Sequence, residues 1–444
     1  MNLCVRPSNL SGTVALPGSK SHTIRAIVIA ALADGQSVLR RPLVSADTES
    51  ALRVAEAFGA GVERGEDWTL RGVGGQPRIP AEVVDVGNSG TTEYVMAAVA
   101  GLVAGTSVFT GDEQIQRRPV EPLLAALRDL GAEASTTTGN GCAPFTVKGP
   151  LRGGKTAMAC ATSQYLTALL LACPLAQGDT EIEVLSLTEH PYVEMTLHWL
   201  DQQGVQYDRV RLERFWIPGG QSYGGFAATI PADWSSATFF LCAGAISGSV
   251  RPWEGSPEPD GRGLETASTP PGVTLTGLDM NDPQGDKAVV GMLRQMGATI
   301  EETAAGLIVS GGSLQGAELD LNATPDALPA LAVTACFAAG ETRLVNVAQA
   351  RLKETDRIAV MARELRKLGA DVEEREDGLV IRQSRLRGTL VEGHGDHRVV
   401  MSLAVAGAFA EGETTITTAE AVSVTFPNYV ELMQALGGRM QVSG

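Results

Sequence analysis

Long apolar segments, aromatic residues and histidines are scarce in this 444-residue chain. No segment offers the roughly 18 consecutive apolar residues that a membrane-spanning helix needs. Residues 327–340 come nearest, but they are too few and include Pro329. Residues 1–20 contain no uninterrupted apolar run of the kind found in secretory signals. We therefore expect a soluble, cytoplasmic protein with no membrane partner.

Cysteine is present, but without the spacing of a disulfide framework or a zinc site. The six cysteines are scattered and form no CxxC pair: Cys4, Cys142, Cys160, Cys173, Cys242 and Cys336. The five histidines also lack the spacing of metal ligands. This pattern predicts buried free thiols in a reducing compartment and no metal site.

Positive charge is in deficit as well. The chain has 35 Lys and Arg residues against 51 Asp and Glu residues, which gives a net charge of −16. Because an acidic surface repels phosphate backbones, nucleic acid is not an expected partner. The pattern GxxxxGK[ST] is absent, so nucleotide hydrolysis has no support. Any anion must therefore bind in a local basic pocket.

The feature that stands out is an internal repeat. Six predicted helices end in a phrase with a central glycine that leads into a predicted strand: Phe58-Gly59-Ala60, Leu130-Gly131-Ala132, Gln203-Gly204-Val205, Met296-Gly297-Ala298, Leu368-Gly369-Ala370 and Leu436-Gly437-Gly438. The glycines lie 72, 73, 93, 72 and 68 residues apart. Glycine just after a helix supplies the left-handed conformation of a C-cap. The spacing predicts one helix-cap-strand unit used six times.

Two breaks in the repeat predict two domains of three units each. Residues 226–233 end the third unit, and Asp233 is the predicted N-cap of a new helix. A second crossing is placed at residues 16–19, because the first strand precedes the first unit. The predicted domains are residues 19–230 and residues 1–18 with 231–444. Pro, Gly and charged residues in Arg251–Gly272 lengthen the fourth interval and predict an exposed, mobile loop.

Three loops rich in Gly and hydroxyl residues precede predicted helices in the first half of the chain. They are residues 18–25 (GSKSHTIR), 87–92 (GNSGTT) and 162–164 (TSQ). Their backbone N–H groups lie at the positive ends of helices, where anions bind. Each loop alone equally suits an ordinary helix N-cap. Three of them in one half of a repeat protein predict a shared anion-binding cleft.

The second half carries a denser set of charges. Residues 353–357 (KETDR) predict a helix with Lys353 and Arg357 on one face, and residues 396–398 (DHR) open another helix. Alone, the first motif favours a solvated ion-pair face over a site. Arg117 and Arg118 also precede a helix, and arginines repeated at helix starts favour recognition of carboxylates and phosphates.

These motifs, in this order, resemble the shikimate branch of the enolpyruvyl transferase family: LPGSKSHTIRA, GNSGTT, RRPVEPLLAALRDLGA, ATSQYLTALL, TPDALPALAV, RLKETDRI, GDHRVVMSLAVAG and TFPNY. The resemblance runs from about Leu16 to Gly437. It implies an α/β fold of two domains, each with three βαβαββ units arranged like an inside-out barrel. The active site would lie in the cleft between the domains, and residues 19–230 would form mainly its acceptor-binding side.

The resemblance implies enolpyruvyl transfer between two small anions. The 5-hydroxyl of shikimate 3-phosphate would attack C2 of phosphoenolpyruvate while C3 is protonated, and the intermediate would then expel phosphate. The reaction belongs to aromatic amino-acid synthesis and needs no metal or organic cofactor. The enzyme would be a monomer and a target of the phosphoenolpyruvate mimic glyphosate.

Motif matches assign the two substrates to overlapping sets of residues. Phosphoenolpyruvate would be bound by Lys20, Gly90, Arg118, Gln164, Arg357 and Arg398. Shikimate 3-phosphate would be bound by Lys20, Ser21, Arg25, Thr162, Ser163, Gln164, Tyr192, Asp326, Gln349 and Lys353. The catalytic residues would be Asp326, which accepts the hydroxyl proton, Glu354, which protonates the methylene carbon, and Lys20. Without the resemblance, Asp326 suits a simple helix N-cap.

Four places depart from the family pattern. Glu93 and Tyr94 follow GNSGTT where an Arg is usual, and residues 424–427 lack a Lys that some members have. Gln349 stands where an Asn often binds the acceptor, and Glu189 where a Ser helps to bind its phosphate. A desolvated carboxylate repels a phosphate by on the order of a few kcal/mol. Either Glu189 points away, or the acceptor differs; our hypothesis keeps the reaction with an altered anion pocket and a changed response to glyphosate.

Three other functions stay open. The sister enzyme that acts on UDP-N-acetylglucosamine usually has a reactive Cys in the loop before its RP motif, whereas residues 114–117 (QIQR) have none. A paralogue with a non-phosphorylated cyclic acceptor is supported by Tyr94 and Glu189. A non-catalytic binding protein would have no need of Asp326 and Glu354 together.

Overall fold

The computed structural model describes residues 1–249 and 272–444. The predicted mobile loop therefore lies, apart from Gly272, outside the described residues. The described residues form twelve α-helices: α1 Lys20–Leu32, α2 Ala46–Ala57, α3 Gly90–Ala100, α4 Glu121–Asp129, α5 Gln164–Ala172, α6 His190–Gln202, α7 Trp234–Ser247, α8 Ala288–Gln295, α9 Leu328–Phe337, α10 Arg357–Lys367, α11 His397–Phe409 and α12 Tyr429–Ala435.

The same residues form 24 strands. They are β1 Asn2–Arg6, β2 Gly12–Ala15, β3 Gln36–Arg40, β4 Gly61–Glu63, β5 Trp68–Arg71, β6 Val84–Asp85, β7 Thr106–Thr110, β8 Glu133–Thr136, β9 Phe145–Lys148, β10 Gly154–Cys160, β11 Thr180–Leu187, β12 Asp208–Val210, β13 Arg214–Ile217, β14 Ala227–Thr229, β15 Val273–Thr276, β16 Thr299–Thr303, β17 Gly306–Ser310, β18 Glu318–Asp320, β19 Glu341–Val345, β20 Asp371–Arg375, β21 Gly378–Arg382, β22 Leu390–Glu392, β23 Thr414–Thr417 and β24 Arg439–Ser443.

Six four-stranded sheets share one pattern in the described part of the chain, with a parallel pair of strands followed by two antiparallel neighbours. In the order β6-β7-β9-β8, the parallel pair is β6 and β7, and β9 and β8 join antiparallel. Helices α3 and α4 connect the successive strands. The predicted six βαβαββ units are therefore confirmed.

The chain divides into two compact units with three sheets each. One consists of residues 1–16, 232–280 and 286–444, and we call it the C-terminal unit. The other consists of residues 17–231 with 281–285, and we call it the N-terminal unit.

Strands distant in sequence complete three of the sheets. Strand β14 pairs with β3 in the N-terminal unit, and β2 pairs with β15 in the C-terminal unit. Strand β1 lies between β23 and β24.

The first helix of each repeat is buried on nearly all sides. In the C-terminal unit α7, α9 and α11 pack against one another, and every residue of α9 except Phe337 is buried. In the N-terminal unit α1, α3 and α5 have the same character. A helix that is apolar all round stays out of water only inside the core. Five of the predicted motifs lie at or beside the N-terminal ends of these buried helices.

All six glycine phrases end helices as predicted. The glycine φ angles are 105°, 97°, 69°, 96°, 93° and 95° for Gly59, Gly131, Gly204, Gly297, Gly369 and Gly437. After α10, the Gly369 N–H donates to Arg366 O and the Ala370 N–H to Leu365 O, both at 3.0 Å. The other five phrases repeat this pair of bonds. Each is therefore a Schellman cap, which uses carbonyls that the helix end would leave unpaired.

Helix starts agree less well with the sequence analysis. The Asp233 side chain accepts the Ser236 N–H at 3.0 Å and caps α7, as predicted. However, α1 begins at Lys20, ahead of the predicted start at Ala26. The predicted helical face of Lys353 and Arg357 is wrong, because α10 begins at Arg357. The reason is local: Asp356 accepts the Ala359 N–H at 3.0 Å and starts the helix there.

The six cysteines all lie in the described residues and are free thiols. Four are buried, whereas Cys4 and Cys142 are half-buried, so the prediction of buried thiols holds for four of them. None of the helices in the described residues combines the length and the apolarity needed to cross a membrane.

Candidate active site

Lys20 lies at the first residue of α1 and is already paired with a carboxylate. Its Nζ atom is 2.9 Å from Oδ2 of Asp47, which lies in the first turn of α2. Both side chains are largely shielded from solvent. An anion that binds at Lys20 must therefore share the ammonium group with Asp47.

Arg25 is buried one turn further along α1 and has neutral hydrogen-bond partners. It donates to the Thr196 hydroxyl at 2.9 Å, the Thr167 hydroxyl at 3.4 Å, and the carbonyls of Ser21 and Tyr192 at 3.0 and 2.9 Å. No carboxylate is among its hydrogen-bond partners in the described residues. Burial lowers the pKa of Arg25 to about 10, which still leaves it cationic at neutral pH. A buried cation held by neutral groups favours a bound anion nearby.

Gly90 and Arg118, both predicted to bind phosphoenolpyruvate, lie next to each other. Gly90 begins α3, and a Cβ atom there would lie 2.3 Å from Nη1 of Arg118. Because glycine has no side chain, Gly90 leaves room for the guanidinium group of Arg118. Arg118 itself is buried.

Tyr94, at the position where an Arg is usual, supports the chain next to Arg118. Its hydroxyl donates to the Pro119 carbonyl at 3.1 Å, and the Tyr165 hydroxyl donates to the same atom at 2.6 Å. The two rings meet edge to face with centroids 5.1 Å apart. This contact of Tyr165 was not predicted, and its place in the TSQYLTALL motif is the only signal of it in the sequence.

Glu93 is a buried acid that the sequence analysis noted only as a neighbour of Tyr94. It is 0 % exposed, and neither carboxyl oxygen has a hydrogen-bond partner in the described residues. Burial raises the pKa of Glu93 to about 8, although the charge of Arg118 acts in the opposite direction. At neutral pH this carboxyl is therefore mostly protonated.

Glu189 does not point away from the predicted acceptor residues. Its Oε2 atom accepts hydrogen bonds from the Thr162 hydroxyl at 3.1 Å, the Ser163 N–H at 3.2 Å and the Ser163 hydroxyl at 3.0 Å. Gln164 donates from Nε2 to the Thr162 hydroxyl at 3.2 Å, and its buried Oε1 has no partner in the described residues. Glu189 therefore faces the loop that was predicted to bind the acceptor.

Arg357 organises three carboxylates in the C-terminal unit. Its Nη1 lies 2.7 Å from Asp326, its Nη2 lies 2.6 Å from Glu354, and its Nε lies 2.8 Å from Asp396. A second bond joins Nη2 to Asp396 at 3.2 Å. Arg357 is 0 % exposed, so the interpretation of KETDR as a solvated ion-pair face is wrong. Three acids surround one guanidinium group in a low-dielectric site.

Asp326 joins the two arginines that were predicted to bind phosphoenolpyruvate. Besides the contact with Arg357, its Oδ2 lies 2.9 Å from Nη2 of Arg398. Burial alone would raise the pKa of Asp326, but Arg398, Lys353 and Arg357 together hold it well below its usual range. Asp326 lies inside a 3₁₀ turn, Pro325–Ala327, which Thr324 precedes, so the interpretation of Asp326 as an N-cap is wrong.

Gln349, which was predicted to bind the acceptor, uses its side-chain NH₂ group in a hydrogen bond within the protein. It is buried, and its Nε2 donates to the Asn322 carbonyl at 3.0 Å. This bond ties the turn that carries Gln349 to the segment after β18. Its Oε1 is the atom left for a ligand to contact.

A buried chain of three side chains was not predicted. Trp199 Nε1 donates to Nδ1 of His22 at 2.9 Å, and Nε2 of His22 lies 3.2 Å from Oδ1 of Asp282. Because an indole nitrogen can only donate, Nδ1 carries no proton and Nε2 donates to Asp282. The contact joins residues 281–285 to the N-terminal unit across 260 positions. No local sequence signal could reveal such a pair.

Comparisons with known proteins identify the family. A sequence profile of EPSP synthase (3-phosphoshikimate 1-carboxyvinyltransferase) matches residues 5–252 and 265–433. The chain is 50 % identical over 443 residues to the 3-phosphoshikimate 1-carboxyvinyltransferase of Ruminiclostridium cellulolyticum, with 100 % of both chains covered. It is 51 % identical over 438 residues to the protein of that name from Acetivibrio thermocellus, with 98 % of each covered. The solved EPSP synthase structure from Acinetobacter baumannii matches with a TM-score of 0.80, 29 % identity and full coverage of both chains. The chain therefore belongs to the EPSP synthase (3-phosphoshikimate 1-carboxyvinyltransferase) family, as its motifs predict.

Proposed function

We propose that this protein transfers the enolpyruvyl group of phosphoenolpyruvate to the 5-hydroxyl of shikimate 3-phosphate. The products are 5-enolpyruvylshikimate 3-phosphate and phosphate. The observation that carries the proposal is the cluster of Asp326, Glu354, Arg357 and Arg398, in which acids for proton transfer lie directly against cations. The family's name for its reaction agrees with this chemistry.

Asp326 is the proposed base for the acceptor hydroxyl. A general base works best with a pKa near the working pH, whereas the arginines around Asp326 hold its pKa low. When the carboxylate and phosphate of phosphoenolpyruvate take up the positive charge of Arg357 and Arg398, the pKa of Asp326 rises. Binding of phosphoenolpyruvate thereby prepares the base for the acceptor hydroxyl.

Glu354 is the proposed donor of a proton to the methylene carbon. Its Oε2 is held by Nη2 of Arg357, so the side chain has a defined position. Phosphoenolpyruvate contacts at Arg357 would compete with this ion pair. One arginine thus couples substrate binding to both proton transfers.

The N-terminal unit supplies the remaining cations and donors in this proposal. Lys20, Gly90, Arg118 and Gln164 are proposed to bind phosphoenolpyruvate, while Ser21, Arg25, Thr162, Ser163 and Tyr192 are proposed to bind the acceptor. Fixed cations stabilise the charge that develops as phosphate leaves. Gln349 and Lys353 complete the proposed acceptor set.

The contacts of Glu189 favour a second candidate, in which the acceptor carries no phosphate. The Glu189 carboxylate accepts the hydrogen bonds of Thr162 and Ser163. An acceptor without a phosphate would not compete for these donors, so the hydrogen bonds of Glu189 would persist. Assays with shikimate and with shikimate 3-phosphate separate the two candidates. Both assays contain phosphoenolpyruvate. Phosphate release with shikimate, but not with shikimate 3-phosphate, would favour the second candidate.

The first test is the change Asp326→Asn, with Asp371→Asn as an exposed aspartate control in the same unit. We expect Asp326→Asn to lower kcat for phosphate release by about 10²–10⁴-fold, the usual range for loss of a general base. Calorimetry should show shikimate 3-phosphate binding within a few-fold of wild type. A wild-type protein that releases no phosphate with both substrates would contradict the proposal.

A further inference from the structure

The carboxylate of Glu189 occupies the donors of the loop that begins α5. One oxygen, Oε2, accepts three hydrogen bonds, from the Thr162 hydroxyl and from the N–H and hydroxyl of Ser163. Glu189 is 1 % exposed, so water does not substitute for these contacts. Two hydroxyls and an amide at a helix N-terminus form a donor set that suits a phosphoryl oxygen. Here the protein's own carboxylate has taken these donors.

The β-sheet places Glu189 next to this loop. Strands β10 and β11 are parallel neighbours that end side by side, with Cys160 opposite Leu187. The residues that follow each strand therefore lie next to each other. The Thr188 hydroxyl donates to the Ala161 carbonyl at 3.0 Å and holds the two connections together. The position of the carboxylate thus follows from the register of the sheet.

The backbone of Glu189 is also specialised. Its φ of 58° and ψ of 36° lie in the left-handed region, which residues with a Cβ adopt infrequently. Only Thr188 and Glu189 separate β11 from α6, so the turn has little freedom to relax. A residue at this position is directed to the Thr162–Ser163 loop whenever the turn is intact.

We propose that Glu189 competes with the phosphate of the acceptor and so determines the affinity for phosphorylated acceptors. The phosphate can use the Thr162 and Ser163 donors only after the carboxylate has left them. This inference rests on the proposed function, because it assigns the loop to the acceptor phosphate. Replacing the carboxylate with a neutral amide strengthens binding of shikimate 3-phosphate, and leaves the affinity for shikimate and for phosphoenolpyruvate unchanged.

The test uses Glu189→Gln, an isosteric change, and Glu189→Asn, which suits the left-handed backbone. Glu183→Gln, at an exposed position of β11, is the control for the same change of charge. We expect the KM for shikimate 3-phosphate to fall about tenfold in both Glu189 variants, because charge-assisted hydrogen bonds are roughly twice as strong as neutral ones. The kcat and the KM for phosphoenolpyruvate should stay within twofold of wild type.

A purely structural role of Glu189 gives a different result. Loss of the hydrogen bonds from Thr162 and Ser163 would then loosen the loop and raise the dissociation constants of shikimate 3-phosphate and shikimate alike, as calorimetry measures. An unchanged or higher KM for shikimate 3-phosphate in both variants overturns the inference.

Failure of the inference and failure of the proposed function are distinguishable. If the wild type releases phosphate and its KM for shikimate 3-phosphate equals that of both variants, the proposed function stands and the inference is wrong. If the wild type shows no turnover while both variants bind shikimate 3-phosphate more tightly, the inference stands and the proposed function is wrong.

Discussion

Arg357 and Arg25 are both buried guanidinium groups, but they are stabilised in different ways. Arg357 makes four hydrogen bonds to three carboxylates, which compensate its charge and fix the positions of the acids. Arg25 is held by hydroxyls and carbonyls, which satisfy its N–H groups without cancelling its charge. The first arginine therefore fixes the positions of three acids, two of which are the proposed proton-transfer groups, and the second keeps a positive potential that would favour an anion.

Glu93 leads to a prediction about pH. Its folded-state pKa of about 8 lies above the ordinary value of 4.5, so the folded protein binds the proton more tightly than the unfolded chain. Stability therefore falls as pH rises from about 4.5 to about 8. We expect Glu93→Gln to abolish this loss of stability with rising pH. The free energy of unfolding at pH 9 should therefore be higher than in the wild type by roughly a few kcal/mol.

Urea unfolding of both proteins at pH 5 and pH 9 measures this effect. The difference between wild type and Glu93→Gln should be small at pH 5 and large at pH 9, because only the higher pH ionises the buried carboxyl. Glu133→Gln, an exposed glutamate of the same unit, is the control. An equal difference at both pH values would mean that Glu93 does not titrate in this range.

At the scale of the element, the ends of helices were predictable and several starts were not. A Schellman cap depends on bonds within about six residues, so the glycine phrases alone predicted all six ends. The start of α10 was misplaced because more than one residue of KETDR suits the N-cap position. Helix α1 begins without a side-chain cap hydrogen bond, so no cap residue marks its start. Asp356 is the N-cap of α10 because its side chain accepts a hydrogen bond from the Ala359 N–H.

Helix α8 provides a matched pair of glycines that tests the role of the caps. Gly297 caps the helix with φ 96°, and a Cβ there would lie 2.8 Å from the Ser313 carbonyl. Gly291 lies inside α8, and a Cβ there meets no atom within 4 Å. We expect Gly297→Ala to lower the free energy of unfolding by about 1–2 kcal/mol. Gly291→Ala should raise it by about 0.5–1 kcal/mol.

Denaturant unfolding of the two variants under one set of conditions checks this prediction. Because both changes add one methyl group, one inside α8 and one at its cap, opposite signs would show that the left-handed backbone and the close Ser313 carbonyl at Gly297 determine the cost. Two changes of the same sign would contradict it.

At the scale of the whole molecule, the N-terminal residues complete sheets that otherwise belong to the end of the chain. Strand β1 contributes Leu3 and Val5 to the core and pairs with both β23 and β24. Strand β24 has no other strand partner in the described residues. The C-terminal unit therefore depends on residues more than 400 positions apart, such as Arg6 and Glu413.

Deletion of residues 1–6 should therefore unfold β24 locally. We expect the amides of residues 439–443 to lose protection in hydrogen exchange, because their partners in β1 are gone. Arg6→Ala is the control, since it removes an exposed ion pair worth about 0.2–1 kcal/mol and keeps the strand. Wild-type protection of residues 439–443 in the deletion variant would contradict the prediction.

By itself the sequence determined the sixfold repeat, the helix ends, the family and the set of charged motifs. These features depend on short segments, in which neighbours along the chain supply the physical signal. Only the tertiary structure decided the partners of Glu189, Glu93, His22 and Arg357. Glu189 meets Thr162 because two parallel strands end in register, and Glu93 titrates near pH 8 because the core around α3 excludes water. Burial and contacts between distant segments set these properties, and a short segment of the sequence determines neither of them.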